Sequence, residues 1–244
     1  MEKNFNSLYH KFLKIKKLGW IKTMREGSTG VGYTFEQLLN KEEDNLPIPD
    51  YKGIEIKTMK YFSKHKIHLF SATPDYKGKD NIKSLVSKLG YPDNKYKEFK
   101  KFNISLNAKS YTDLGYKKIK LIVNREKERI ELKAYSIYGK TYEIDLAWTF
   151  KELEKSLTRK LSKLAVVKVC SKKFNKTDYF LYSNISFYEL KDFETFIKLL
   201  EEGIIEIQFK VGIHRDERKL GKTYDKGTDF SIMEENIPLL FNKI

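Results

Sequence analysis

The sequence predicts a mixed α/β fold, in which helices and strands alternate along the whole chain. Two kinds of periodicity support this prediction: apolar residues recur every three or four positions in some segments and at every second position in others. The 244 residues are 40% hydrophobic and 14% aromatic, which is enough for a sizeable core and argues against disorder. We therefore expect one compact body, either undivided or two-lobed.

Predicted helices and strands alternate in the N-terminal half. Apolar residues at spacings of three and four over positions 5–18 predict a first helix, which ends at Gly19. After the glycine-rich loop at 25–32, Thr34 with Gln37 three positions later forms a capping box and predicts a short second helix. The further predicted elements are strands at 50–61 and 67–73, a helix at 80–89, and strands at 102–108, 119–123 and 130–138, the last two antiparallel.

The C-terminal half continues the same mixture. Thr149 and Glu152 form a second capping box, which predicts a helix to about Lys163. The elements predicted after it are strands at 164–170 and 179–185, a helix at 192–202 ended by Gly203, a strand at 204–213, a polar connection at 214–227 and an apolar return at 230–232. Neither an internal repeat nor a low-complexity linker interrupts the sequence, so we expect a single domain over residues 1–244.

The composition favours an intracellular protein with a polyanionic partner. Lys and Arg number 48 against 33 Asp and Glu, and the resulting formal charge of +15 suits nucleic acid. An AT-rich genome, which inflates Lys, Asn and Ile, explains the same charge equally well.

Cys170 is the only cysteine, which excludes an internal disulfide and favours the cytoplasm. No signal region and no run of about 18 apolar residues occurs, so no membrane is expected.

Asp50, Glu55 and Lys57 place three charges at the start of a predicted strand. On a strand, Glu55 and Lys57 share one face, and Asp50 can converge on that face if the chain bends at Gly53. Two close carboxylates repel unless a cation lies between them, and Mg²⁺ with retained waters is the ion that such oxygen sites hold. Beside a phosphodiester, this arrangement would support hydrolysis of a phosphate ester. An edge strand with one solvated face is the simpler explanation of the spacing by itself.

Two longer segments carry a family resemblance. The segment GSTGVGYTFEQLL at 27–39, followed by EEDNL at 42–46 and by 49–58, resembles the MvaI/BcnI restriction endonucleases and, more distantly, the mismatch-repair nickase MutH. The segment GKTYDKGT at 221–228 resembles the C-terminal Gly-Lys-Thr-x-Asp-x-Gly-Thr motif of that family. The Asp, Glu-x-Lys pattern is the PD-(D/E)xK nuclease signature, and the Thr-Gly-x-Gly-x-Thr-Phe-Glu prelude makes the match more specific.

The resemblance implies a fold and an activity. The implied fold is a restriction-endonuclease-like PD-(D/E)xK core, MutH-like, with a mixed sheet flanked by helices and two lobes around a DNA cleft. We expect the catalytic lobe at about 1–145 and the DNA-recognition lobe at about 146–244. The implied activity is that of a type II restriction endonuclease, which hydrolyses double-stranded DNA at a specific sequence with Mg²⁺. A monomer is implied, together with a cognate DNA methyltransferase that protects the host DNA.

The resemblance also assigns roles to single residues. Asp50 and Glu55, together with Ile56, are the implied metal-binding residues, and Lys57 is the implied catalytic lysine. Glu36, on the preceding helix, would complete the acidic cluster. The alternative for Glu36 is a first-turn glutamate that complements the helix dipole.

Residues of the strand at 204–213 and of the polar connection after it are the expected DNA-reading groups: Gln208, Lys210, Arg215, Arg218, Lys222, Tyr224 and Lys226. A solvated hairpin tip is the alternative. In the better-known family members, an acid and an arginine on the strand and two histidines in the Gly-Lys-Thr segment read sites with outer C·G pairs. This chain has Gln208 and Lys210, then Tyr224 and Lys226, at those positions. We therefore hypothesise that its recognition sequence differs from CCWGG and CCSGG.

Two other functions compete with restriction. One is a MutH-like nickase, which differs in its product, and the other is a DNA-binding module without catalysis. The presence of Asp50, Glu55 and Lys57 together argues against a DNA-binding module without catalysis, because a protein that only binds DNA has no need of acidic side chains facing phosphates. His65 and His68 are interpreted as ordinary or phosphate-facing residues. The loop at 27–32 lacks the Gly-Lys-Ser/Thr of a P-loop, so nucleotide triphosphate binding is not expected.

Overall fold

The computed structural model describes residues 3–40, 48–76 and 82–244 and contains the expected mixture of helices and strands. The helices are α1 (Lys3–Lys17), α2 (Gly30–Leu38), α3 (Ile82–Leu89), α4 (Phe150–Leu161), α5 (Phe193–Glu201) and α6 (Ile237–Leu240). The strands are β1 (Ile21–Lys22), β2 (Glu55–Lys60), β3 (Ile67–Ser71), β4 (Asp75–Tyr76), β5 (Tyr91–Pro92), β6 (Lys100–Leu106), β7 (Thr112–Asp113), β8 (Lys117–Asn124), β9 (Arg129–Ser136), β10 (Thr141–Tyr142), β11 (Leu146–Thr149), β12 (Lys163–Phe174), β13 (Thr177–Leu190), β14 (Ile205–Ile213), β15 (Thr223–Ile232) and β16 (Phe241–Lys243). The motif segment at 42–46 and the predicted start of α3 at 80–81 lie outside the described residues.

The strands form three sheets. The first has the order β1-β13-β12-β2, with β16 also paired to β13; the second has the order β4-β11-β9-β8-β7, with β10 paired to β9; the third has the order β3-β15-β14-β6-β5. In the first sheet, β2 runs parallel to β12, whereas β12 and β13 are antiparallel. The prediction of a mixed α+β fold is therefore confirmed.

The described residues pack as two units. The first unit comprises Met1–His65, Leu157–Lys191 and Pro238–Ile244 and holds the first sheet, whereas the second comprises Lys66–Ser156 and Asp192–Ile237 and holds the other two sheets. Each unit consists of segments that are far apart in sequence, because β12 and β13 pair into the same sheet as β2. The sequence predicts one boundary, near residue 145. Which unit has which function stays a prediction.

The core of the first unit lies where α1 and α2 cover the first sheet. Phe5, Leu8, Phe12 and Ile15 of the predicted apolar stripe are buried on α1 and pack with residues of β2, β12 and β13, whereas Leu18 lies beyond the helix and is 60% exposed. Phe5 and Phe187 have ring centroids 5.0 Å apart, and Phe35 and Tyr182 have centroids 4.9 Å apart. The Tyr182 hydroxyl also donates a hydrogen bond of 2.8 Å to the Val31 carbonyl oxygen, which ties β13 to α2. Each large apolar side chain buried here contributes about 1.5–3 kcal/mol.

Aromatic residues build the core of the second unit beneath the third sheet. The Phe70 ring lies 4.8 Å from Phe230 and 5.8 Å from Phe196 of α5. Trp148 of β11 packs 5.8 Å from Phe209 and donates from its indole nitrogen to the Ala72 carbonyl oxygen at 3.0 Å. One face of the third sheet is therefore sealed by α5 and β11.

The start of α2 differs from the prediction. The helix begins at Gly30, so Thr34 lies inside it, and the predicted capping box of Thr34 and Gln37 is wrong. Thr34 is fully buried and its hydroxyl accepts a 3.0 Å hydrogen bond from the Met24 N–H. Gly30 is required by the close approach of the chain, because a Cβ there would lie 2.2 Å from the Arg25 carbonyl oxygen. The second capping box behaves as predicted, since the Glu152 N–H donates to the Thr149 hydroxyl at 3.3 Å.

Several strands are longer than the apolar pattern predicted. β12 and β13 extend to a tight turn at Asn175 and Lys176, which have φ angles of 46° and 64°. β15 already begins at Thr223, within the segment predicted as a polar connection. Backbone hydrogen bonds to a long neighbouring strand keep polar residues in strand conformation. Hydrophobic periodicity does not detect such residues, so the predicted strands are too short.

Candidate active site

A tight turn brings Asp50 back to the start of β2. Tyr51 and Ile54 exchange backbone hydrogen bonds of 2.9 and 2.8 Å around Lys52 and Gly53, whose φ angles are 47° and 82°. Positive φ at both central residues is typical of the type I′ turn, the tight two-residue connection of β-hairpins. Asp50 Oδ2 then accepts a 2.9 Å hydrogen bond from the Ile56 N–H. The bend expected at Gly53 is present, and it holds Asp50 against the strand.

Glu55 is a buried carboxylate, with only 2% of its surface exposed. Its Oε1 accepts a 2.7 Å hydrogen bond from Lys57 Nζ, whereas its Oε2 is buried and makes no hydrogen bond within the described residues. Burial raises the pKa of Glu55 and the nearby Asp50 carboxylate adds to the rise, while Lys57 and Lys160 oppose it. A buried, unpaired carboxylate oxygen is costly unless a cation binds to it.

Lys160, which the sequence analysis did not name, also reaches this carboxylate. Its Nζ lies 3.5 Å from Glu55 Oε1, and its side chain is 22% exposed. Lys160 lies in the last turn of α4, and β12 follows directly, with Leu164 paired opposite Glu55. The contact depends on the register of two strands more than 100 residues apart in sequence, so no local pattern could reveal it.

Replacing Lys160 by methionine is expected to slow DNA cleavage about tenfold at pH 6, with the loss shrinking as the pH rises. Without this ammonium group, the pKa of Glu55 rises further, so less of the carboxylate is ionised at acidic pH. The rate of plasmid cleavage would be measured from pH 6 to pH 9. Lys155→Met, an exposed lysine of the same helix, is the control; equal pH profiles for both variants would contradict the role of Lys160.

Glu36 lies on α2, near the opposite face of the same strand. A Cβ on Gly32 would lie 3.5 Å from Thr58 Oγ1 and 3.7 Å from Glu36 Oε1, so the Glu36 carboxylate and the Thr58 hydroxyl both lie beside Gly32. Thr58 and Glu55 are three apart on β2 and therefore face opposite sides of the sheet. A role for Glu36 in the acidic cluster requires its carboxylate to reach around β2, which is the edge strand of the sheet. That role stays a prediction.

The residues around Glu55 fit a hydrated, hard divalent cation. The described part of the chain contains no group of three or more His, Cys, Asp or Glu side chains that could hold a metal ion. Asp50 and Glu55 supply two carboxylates, and Ile56 can offer only its main-chain carbonyl oxygen. Mg²⁺ is commonly bound through one or two carboxylates and keeps several waters, so two carboxylates suffice. The unpaired Glu55 Oε2 is the observation that such an ion would explain.

The residues predicted to read DNA lie on β14, on β15 and in the connection between them, all within the second unit. Gln208 and Lys210 are partly exposed on β14, and Arg215, Arg218 and Lys222 are exposed in the connection. Tyr224 and Lys226 belong to β15, so their predicted place in the loop is wrong. Burial lowers the pKa of Lys210 and the neighbouring Lys226 lowers it further. Two of the predicted cations are thus close neighbours.

Arg215 has a structural partner that the sequence did not indicate. Its guanidinium donates to both Asp93 oxygens at 3.1 and 3.3 Å, and Asp93 also accepts from the Lys95 and Tyr96 N–H groups. The Lys95 N–H contributes most to holding the pKa of Asp93 below its usual value, followed by the Tyr96 N–H and the basic side chains of Lys101 and Arg215. Some of the N–H donors of Arg215 are therefore already used by the buried Asp93 carboxylate.

Residues 9–241 match the family model described as the MvaI/BcnI restriction endonuclease family. The chain belongs to this family. The match spans both units and includes the cluster of Asp50, Glu55 and Lys57. As a member of the MvaI/BcnI family, the chain is a type II, site-specific DNA endonuclease, and enzymes of this kind use a divalent metal.

Solved structures of restriction endonuclease MvaI resemble the chain over its full length. The complex of MvaI with its cognate DNA substrate is 27% identical, with a TM-score of 0.87, and the match covers 100% of this chain and 98% of MvaI. MvaI without DNA is 26% identical, with a TM-score of 0.61 and the same coverage. The comparison with curated proteins gave no match. Among the described residues, no helix has the length and apolar character needed to cross a bilayer.

Proposed function

We propose that this chain hydrolyses phosphodiester bonds of double-stranded DNA with Mg²⁺ at the cluster of Asp50, Glu55 and Lys57. The observation that carries the proposal is the buried Glu55 carboxylate, which has an unpaired oxygen on one side and Lys57 on the other. We assign catalysis to the first unit, which contains this cluster, and DNA reading to the second unit.

The chain's own residues have distinct tasks in this reaction. Asp50 and Glu55, with the Ile56 carbonyl oxygen, would hold Mg²⁺, which when bound polarises the phosphoryl group and lowers the pKa of water. Lys57 keeps Glu55 oriented through their 2.7 Å hydrogen bond and presents positive charge where the phosphoryl oxygens become more negative. The buried surroundings of Glu55 exclude bulk water and strengthen both electrostatic interactions.

The recognition sequence of this chain is proposed to differ from CCWGG and CCSGG. Gln208 and Lys210 on β14, and Tyr224 and Lys226 on β15, offer a donor and acceptor set different from the acid, arginine and two histidines of the better-known family members. We further propose that the enzyme acts as a monomer, cuts the two strands in successive steps, and is paired with a methyltransferase that modifies the same sequence.

Incubation of the purified protein with unmethylated supercoiled plasmid and Mg²⁺ tests the proposal, with Asp50→Ala as the control. We expect linear fragments whose sequenced ends share one motif, and no fragments with the control. Nicked circles as the only product would replace this proposal with a nickase, and tight binding without cleavage would replace it with a DNA-binding module. Ends that map to CCWGG or CCSGG would refute the proposed difference in specificity.

A further inference from the structure

The third sheet has one apolar and one polar face. Along β14, alternate residues from Ile205 to Ile213 are buried, whereas Glu206, Gln208 and Lys210 between them are partly exposed. Helix α5 covers the apolar face, where Phe196 packs on Phe70 and Phe230. The polar residues on the other face therefore take no part in the core, and their arrangement calls for a different explanation.

Asp229 occupies the middle of this polar face. In the strand register it lies directly opposite Gln208 on β14 and Ser71 on β3, and its side chain is 6% exposed. One carboxylate oxygen accepts from the Ser71 hydroxyl at 2.8 Å and lies 3.2 Å from His68 Nε2, and the other oxygen pairs with the Lys210 ammonium group. A buried carboxylate needs such partners, so the four side chains form one hydrogen-bonded cluster.

Two members of the cluster reach solvent, His68 with 41% and Lys210 with 36% of the side chain exposed. Lys210 has donors left for a ligand, because only one of the three N–H donors of its ammonium group is needed for Asp229. A lysine is normally a flexible point charge on a long stem, so its direction is poorly defined. The pairing with a buried carboxylate fixes that direction before a ligand arrives, which removes part of the entropy cost of binding.

An ammonium group that is fixed in direction and has free N–H donors is best matched by the major-groove edge of guanine. In the major groove, guanine presents two acceptors, N7 and O6, and no donor, whereas adenine and cytosine each present an amino donor that would oppose the ammonium group. Thymine presents one acceptor, O4, beside its apolar methyl group, so it offers the ammonium group fewer hydrogen bonds than guanine does. The Asp229 side chain is only 6% exposed, so its effect on a base acts through the more exposed side chains that it holds, and of these Lys210 supplies the ammonium group.

We propose, building on the DNA endonuclease function proposed for this chain, that Asp229 is a positioning residue that holds Lys210 to read one guanine of the recognition sequence. Ser71 and His68 hold the Asp229 carboxylate in turn. Lys210 is among the DNA-reading residues that the sequence predicts, whereas Asp229 and Ser71 are not, and His68 is predicted to be an ordinary or phosphate-facing residue. The recognition sequence is thereby inferred to contain a guanine whose selection depends on all four side chains.

Selection of bound duplexes from a randomised DNA pool in Ca²⁺ tests this inference independently of cleavage. Wild-type protein is expected to select a guanine at one position, and Lys210→Met is expected to reduce that preference about 5- to 150-fold while leaving the other positions unchanged. Asp229→Asn and Ser71→Ala are expected to relax the same position, the second by a smaller factor. Lys210→Arg, which keeps donors for guanine, should retain the preference. Lys198→Met, on α5 beneath the apolar face, should leave the whole profile unchanged.

A merely structural role for Asp229 predicts a different outcome. In that case, Asp229→Asn would lower the melting temperature and weaken binding to all sequences equally, with the wild-type base profile. Either that result, or a Lys210→Met profile with no relaxed position, overturns the inference. If Asp229→Asn does not fold, Ser71→Ala decides alone, because it removes one hydrogen bond to Asp229 and leaves the ion pair of Asp229 with Lys210 in place. Failure of cleavage with an intact guanine preference would refute the proposed nuclease function but leave the inferred reading of guanine standing.

Discussion

Lys57→Ala is expected to slow DNA cleavage about 10²- to 10³-fold, while DNA binding measured in Ca²⁺ stays within a few-fold of wild type. Lys57 donates to Glu55 at 2.7 Å and is 17% exposed, so its ammonium group can reach both the carboxylate and a bound phosphate. Asp50→Asn should have a comparable effect, because the amide oxygen can still accept from the Ile56 N–H but the negative charge is lost. Gel assays of cleavage and of binding measure the two properties separately.

Lys60→Ala is the matched control for this experiment. Lys60 lies three positions after Lys57 on the same strand, so its side chain is on the opposite face, with its ammonium group 5.4 Å from the centre of the Phe180 ring. Its loss should leave the cleavage rate near that of wild type. Cleavage by Lys57→Ala at the wild-type rate would remove Lys57 from the mechanism, and a parallel loss of DNA binding would assign it to binding instead.

Glu55→Gln is expected to abolish cleavage and at the same time to stabilise the metal-free protein at neutral pH. The melting temperature should rise by roughly 2–4 °C, the shift that about 1 kcal/mol causes in a chain of this size. The reason is that burial disfavours the charged carboxylate more strongly than Lys57 and Lys160 favour it. Both lysines are about one-fifth exposed and can turn to water when the charge is removed. Thermal unfolding in a chelator gives the measurement.

The pH dependence of stability provides a second measurement on the same variant. Below the ordinary glutamate pKa of 4.5, Glu55 is protonated in the folded and the unfolded chain. Since the folded pKa is raised, the stability of the metal-free wild type falls as the pH increases from 4.5 through that raised pKa. Glu55→Gln should lack this decline.

Added divalent metal should raise the melting temperature of the wild type but not that of Glu55→Gln, because the metal would bind the ionised carboxylate. Glu131→Gln, which removes a carboxylate from the ion pair with Arg129 in the second unit, should keep the metal response. If Glu55→Gln melts below the wild type at pH 7.5 without metal, the buried charge stabilises the fold, and its two lysine partners outweigh the cost of burying it.

Local sequence signals predicted most of the helices and strands. The stripe of α1 and the capping residue Thr149 act within one or two helical turns, so the sequence around them contains the whole cause. The predicted cap at Thr34 was wrong because α2 already starts at Gly30, where the Arg25 carbonyl oxygen comes too close for any side chain. That contact joins residues only five positions apart, but its one trace in the sequence is a glycine.

The cluster of Asp50, Glu55 and Lys57 could be predicted because these residues are neighbours in sequence and Gly53 permits the turn that joins them. The cluster of Lys210, Asp229, Ser71 and His68 could be predicted only in part. Lys210 stood out as a cation on a strand, but its connection to Asp229 depends on the pairing of β14 with β15.

The sequence by itself determined the mixture of helices and strands, the motif of Asp50, Glu55 and Lys57 and the family, since periodicity and short motifs are properties of neighbouring residues. Only the tertiary structure decided that Glu55 is buried with an unpaired oxygen, that Lys160 reaches it, and that Asp229 holds Lys210. The physical reason is the same in each case. Burial and charge pairing depend on which distant strands lie side by side, and that choice is made by the packing of the whole unit rather than by any one segment.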